Sequence, residues 1–144
     1  MSTNRTTVLQ DTKVDVKIVL AGLWSSMLFV FAYVDIFGFW RADVINGALA
    51  GKVPGAGFGI DQVFLVNTTI YILIPSLMVV VSLVARSRVN RITNIVVSVI
   101  YAATVAVSVI GETWTYYVLG SVVEILLLLA IVRLAWTWPR RPAV

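Results

Sequence analysis

The sequence predicts an all-α fold, an integral membrane four-helix bundle with a short interfacial amphipathic helix between spans one and two. Composition is the first sign: 60% of the 144 residues are hydrophobic and 12% are charged, with a mean hydropathy of +0.96, outside the range of ordinary soluble domains. The second is a set of four apolar runs, each long enough for a helix to cross roughly 30 Å of hydrocarbon. The third is the placing of the eleven Lys and Arg, which gather at alternate ends of those runs as topology requires. A net charge of +4 distributed in this way reports orientation, and no nucleic-acid partner is expected. The chain has neither Cys nor His. Disulfides, thiolate or imidazole metal sites, haem and Cys–His dyads are excluded with them, so no cofactor and no metal is expected.

Residues 1–15 carry both charge signs without an apolar period and read as a cytoplasmic tail. Span one, about residues 16–39, is too long for a signal-peptide core and is followed by no A-x-A-like cleavage site. In residues 40–50, Trp40, Val44, Ile45, Ala48 and Leu49 recur at near-helical spacing around Arg41, Asp43 and Asn46, as in a helix lying in the interface. Gly51, Gly55, Gly57 and Gly59 around Pro54 make a flexible connection. The order G-x-x-x-x-G-K-[ST] is absent and no strand precedes the glycines, which argues against a phosphate loop.

Span two, about residues 61–85, contains Pro75, which lacks an N–H and so leaves the Tyr71 carbonyl without its helical partner; a kink is expected there. Arg86, Arg88 and Arg91 read as a tight basic turn before span three, about residues 92–111. A turn holding Glu112 and Trp114 leads to span four, about residues 116–136, and residues 139–144 form a second tail. Residues 16–138 are thus one membrane domain. The tail and the end of the chain supply Arg5, Lys13, Lys17, Arg133, Arg140 and Arg141, the middle connection its three Arg, and the other two connections only Arg41 and Lys52. The positive-inside rule then puts both termini on the cytoplasmic side of the membrane. Trp40, Trp114, Tyr116 and Tyr117 form the outer aromatic belt, Trp136 and Trp138 the inner one.

Glu124 interrupts the last span about nine residues in, roughly 13 Å deep at 1.5 Å per residue. A charged side chain near the midplane costs about 2.5–3.5 kcal/mol on insertion scales, so it should face protein or water. Ser25, Ser26, Tyr71 and Tyr101 come to a similar depth. Asn90, Asn94, Ser98, Tyr101, Ser108 and Glu112 make a polar stripe on span three, beside a Ser98–Ala102–Ala106 series suited to close packing. Asp35, Asp61 and Glu112 end three spans on the outer side, while the inner half is expected to be lined mainly by Leu, Val and Ile. The pattern predicts a pocket open outward and sealed inward, with Asp35, Asn67, Tyr71, Tyr101, Glu112 and Glu124 as ligand-binding candidates. Each has a plainer reading beside it. Polar side chains inside spans make interhelical hydrogen bonds of about 0.6 kcal/mol, acidic residues at span ends cap helices, a protonated Glu124 can donate to Tyr71 or Tyr101, and Arg133 anchors the inner surface.

Tyr33-Val34-Asp35-Ile36, Asp61-Gln62-Val63-Phe64-Leu65, Ile74-Pro75, Asn90-Arg91-Ile92-Thr93-Asn94-Ile95 and Glu124, in that order and spacing, resemble a family of small bacterial four-span membrane proteins of unknown function. The resemblance covers about residues 17–138 and implies a four-helix membrane bundle. A looser similarity to the DoxX-like four-helix proteins implies an accessory subunit. The function expected is a non-enzymatic small-ligand-binding or accessory protein. The alternative is an oligomeric proton-coupled transporter of small cationic or amphipathic solutes, in which Glu124 exchanges a proton, favoured by desolvation, for a cationic guest. An acid–base enzyme built on Tyr and Glu is the third class, and nothing places a nucleophile beside a base. The partners expected are the lipid bilayer and a second copy or another membrane protein.

Overall fold

The computed structural model describes residues 11–54 and 57–139. Arg5, Gly55, Arg140 and Arg141, with most of the first tail and all but the first residue of the second, lie outside these. Among the described residues five helices form: α1 (Val16–Gly38), α2 (Ala42–Leu49), α3 (Gln62–Val84), α4 (Ser87–Ser108) and α5 (Thr115–Trp136). The long helices α1, α3, α4 and α5 are apolar and long enough to cross a membrane. Among the described residues, extended backbone pairs at one isolated antiparallel bridge, between Lys52 and Gly59.

The helix starts follow from local chemistry. Asp15 accepts from the backbone N–H of Lys17 at 2.8 Å and Asp61 from that of Phe64 at 2.8 Å, each satisfying a donor that a first turn leaves unpaired. At the far end of α3, Lys17 Nζ donates to the Ala85 carbonyl at 2.8 Å, tying the start of α1 to the end of α3. Helix α4 begins at Ser87, five residues before the expected residue 92, so only Ala85 and Arg86 separate it from α3. Arg88 and Arg91 therefore belong to its first turns, not to a connection. The early start is held by Asn90, whose side-chain amide donates to the Ser82 carbonyl at 2.6 Å. Gly111, at φ +85°, turns the chain between α4 and α5 in a conformation few L-residues adopt.

Around the bundle, α1 packs on both α3 and α5, α5 packs on α4, and α3 meets α4 along a narrow strip. Neighbours run antiparallel, as the Lys17–Ala85 and Ser82–Asn90 pairs show. Helix α5 approaches α1 at Gly120, where a Cβ would overlap Val34 Cγ2. The core runs through the end of the bundle that holds both described chain ends: Leu20, Trp24, Met27, Met78, Leu128 and Ile131 are buried there.

That half is mainly apolar, with a polar strip running through it. Ser82, Asn90, Asn94 and Ser98 are buried in it. Trp24 donates its indole N–H to Asn94 Oδ1 at 2.7 Å, and Asn94 donates to Asn90 Oδ1 at 2.6 Å. The span-three stripe accordingly faces inward at Asn90, Asn94, Ser98 and Tyr101, but Ser108 is exposed and Glu112 lies past the helix end. Of the close-packing series, Ser98 is buried, Ala102 half-buried and Ala106 exposed.

Candidate functional site

At the other end of the bundle, α3 and α4 diverge above their narrow contact and leave a cavity of about 510 Å³. Its floor is aromatic. Tyr71 on α3 stacks on Tyr101 of α4 with ring centroids 4.7 Å apart, and the Tyr101 hydroxyl donates to the Tyr71 carbonyl at 2.5 Å. This is the carbonyl that Pro75 frees, so the bond that fixes the floor follows from a proline one turn further on. The Tyr71 hydroxyl is engaged with Thr104 Oγ1 at 2.7 Å.

Two carboxyl groups face the cavity. Glu124 projects from the middle of α5, and Asp35 from the last turn of α1. Glu124 is only 2% exposed. Its carboxyl makes no hydrogen bond with any described residue; of its candidate partners, the Tyr71 hydroxyl meets Thr104 Oγ1 and the Tyr101 hydroxyl donates to the Tyr71 carbonyl. Ser121 and Tyr117 line the same wall one and two turns above Glu124, and Ser108 and Thr104 face them from α4. Phe31, Phe64 and Phe58 complete the enclosure. Phe58 comes from the glycine-rich connection, held there as its carbonyl accepts from Val53 N–H at 2.9 Å.

The structure thus brings Asp35, Tyr71 and Glu124 together, with Tyr101 beneath Tyr71. The other two candidates do not line this cavity. Asn67, one turn from Tyr71 on an exposed side of α3, lines an adjoining groove that Tyr71 shares with Phe58, Phe64 and Thr68. Glu112 is engaged at the α4–α5 turn: its Oε2 accepts from Arg41 at 3.1 Å and its Oε1 from the backbone N–H groups of Thr113 and Trp114 at 2.8 and 3.0 Å. The Arg41 guanidinium also donates twice to Asp43, at 3.2 and 2.6 Å, and lies 4.8 Å from the centre of the Trp114 ring. Ser25 and Ser26 also lie outside the polar layer, Ser25 bonding back to the Ala21 carbonyl at 3.0 Å and Ser26 being exposed.

The electrostatics of that clamp are self-contained. Asp43, first through its bond to Arg41, is held below the usual carboxylate range. Arg41 is driven further above its usual range, first by Asp43. Burial pushes Glu112 up, but the Trp114 N–H, Arg41 and the Thr113 N–H outweigh it and leave the carboxyl below its ordinary value. With Glu112 neutralised by Arg41 and Asp61 capping α3, the acidic groups left to the cavity are Asp35 and Glu124.

Thr104, Ser108, Tyr117 and Ser121 were missed as candidates although their spacing was readable. Tyr117, Ser121 and Glu124 recur at four and three residues, and Thr104 and Ser108 at four, each set on one helix face. Phe58 carried no comparable signal, because it belongs to no periodic segment.

A family model described as a family of unknown function, DUF6326, matches residues 9–143, and the chain belongs to that family. The match agrees with the resemblance to an unknown-function family and does not show the looser one to DoxX-like proteins. No curated protein and no solved structure matches the chain.

Proposed function

We propose that this family member is a multi-pass protein of the bacterial cytoplasmic membrane, with both termini inside, that offers an outward-facing acidic pocket to a small ligand as a binding protein or accessory subunit. The long helices support membrane insertion by length and composition. So do their outer faces. Leu73, Leu77, Val80 and Val84 on α3 and Leu119, Leu126 and Leu129 on α5 are exposed, a continuous apolar surface that water would not tolerate on a monomer and that lipid solvates. Helix α2 buries no residue and leaves Ile45 and Leu49 uncovered, as expected of a helix resting on the interface.

One observation carries the ligand reading: Glu124 is buried, without a hydrogen-bond partner among the described residues, and faces a cavity rather than another side chain. A carboxyl group at this depth costs free energy, and a purely structural one would be engaged with a neighbouring helix. Asn94, which is equally buried, is engaged in that way.

Binding is favoured over passage because the bundle is closed below the site. The Tyr71–Tyr101 stack and the Trp24–Asn94–Asn90 network fill the space between Glu124 and the inner end. The transporter reading uses the same Glu124 but needs a rearrangement of that network or a path between copies.

Infrared spectroscopy in lipid tests the reading. The protonated-carboxyl band lost in Glu124→Gln identifies Glu124, and transfer to D2O should shift it within the mixing time, because the group faces a water-accessible pocket. Exchange over hours would make Glu124 a sealed structural residue and end the pocket reading.

A further inference from the structure

We propose that the pocket takes an organic ammonium cation with an apolar body, seated with its charge between Asp35 and Glu124 and its body against the aromatic walls. The inference rests on the outward-pocket reading and adds the chemistry of the occupant. The cavity lining holds two carboxyl side chains, Asp35 and Glu124, and no Lys or Arg. The nearest outer guanidinium, Arg41, is engaged with Asp43 and Glu112. An anionic guest would therefore meet two carboxyl groups with no compensating charge in surroundings of low dielectric.

A bare metal ion fits poorly. The described residues contain no group of three or more His, Cys, Asp or Glu side chains, whereas hard cations gather six or more oxygen ligands. A neutral apolar guest would leave Glu124 as unpaired as it stands now, and a neutral polar one would leave two carboxyl groups without a counter-charge. The walls then distinguish among cations. Phe31, Phe58, Phe64 and Tyr71 present aromatic surface on the α1–α3 side, and the Tyr71 hydroxyl is turned to Thr104, so the ring offers its face more readily than its oxygen. Aromatic faces beside carboxyl groups are the recognition chemistry of substituted ammonium ions, which bring diffuse charge and little hydrogen-bonding demand. The cavity, at about 510 Å³, lies in the size range of small-molecule sites.

The test is calorimetric titration of the full chain in lipid nanodiscs with benzyltrimethylammonium, and with phenylacetate as an anion of similar size. The expected result is saturable binding of the cation, none of phenylacetate, and an affinity lowered about tenfold or more by Glu124→Gln and by Asp35→Asn, the loss of one charge-assisted contact each. Equal binding of cation and anion, or cation binding unchanged in Glu124→Gln, overturns the proposal. Asp35→Asn, at an accessible position, keeps the test decisive should the deeper variant fail to fold. The infrared exchange experiment separates the two levels: rapid exchange at Glu124 with no cation binding overturns the ammonium assignment and leaves the pocket standing, while slow exchange overturns both.

Discussion

Tyr101→Phe is the sharpest test of how the pocket floor is built. The substitution removes one hydroxyl and keeps the ring that stacks on Tyr71 and meets Trp24 edge-on at 6.4 Å. What it exposes is the Tyr71 carbonyl, whose helical donor is missing at Pro75 and whose partner is the Tyr101 hydroxyl. Tyr101 is 5% exposed, so water does not readily replace it. Hydrogen bonds between membrane helices average about 0.6 kcal/mol with a maximum near 1.7, and a buried acceptor left unpaired costs about 1–3 kcal/mol. The expected loss is therefore about 1.5 kcal/mol. In a Pro75→Ala background the alanine N–H returns the carbonyl's own helical bond, and the same Tyr101→Phe change should then cost only a few tenths of a kcal/mol, a coupling of about 1 kcal/mol. Reversible unfolding of the four proteins in mixed detergent–lipid micelles measures the cycle, and the separate packing cost of changing buried Pro75 cancels within it. An equal cost of Tyr101→Phe in both backgrounds would refute the assignment of the hydroxyl to that carbonyl.

Gly120→Ala should destabilise the bundle by about 1–3 kcal/mol, the usual range for overpacking, because its Cβ would displace the stiff Val34 side chain on α1; adding Val34→Ala should recover part of the loss in the same unfolding assay. The Arg41–Glu112 clamp should lend a pH dependence to thermal stability. Since folding holds Glu112 below its ordinary 4.5, its contribution is complete above that pH and is lost as acid takes the pH down through the folded value. The acid loss should shrink in Arg41→Ala, which leaves the two backbone N–H contacts, and in Glu112→Gln should fall to the part contributed by Asp43, which Arg41 also holds down; a wild-type acid profile in Glu112→Gln would remove the clamp from the account.

The features legible in the sequence were those set by a residue and its own helix. Pro75 alone implied an orphan carbonyl at Tyr71, and the four-residue spacing of Asn90, Asn94 and Ser98 implied an inward face. The partners were not legible, because they depend on how each helix is rotated against the next. Trp24 lies in the apolar run of span one, and nothing in that run pairs its N–H with Asn94 on α4. The start of α4 was misplaced because three arginines look like a connection. Long Arg stems lie along a helix end as easily as in a turn, and Asn90 holds the first turn to α3. Glu112 was assigned to the pocket as the outer end of the span-three stripe, which gave no sign that α4 would end at Ser108 and that Arg41 would engage the carboxyl from beyond span one. Asn67 lies one turn from Tyr71 along α3, and spacing along one helix does not tell the cavity from the groove beside it. Asp35, Tyr71 and Glu124 were recoverable because depth and face agreed for all three.

The chain's lack of Cys makes its central claim, an outward pocket that reaches down to Glu124, directly measurable. Ser121→Cys places one thiol on the pocket wall a turn above Glu124, at a position 2% exposed. A small membrane-impermeant methanethiosulfonate reagent should modify it in right-side-out vesicles and leave it untouched in inside-out ones. Modification from the inner side alone, or from neither side, would contradict the account.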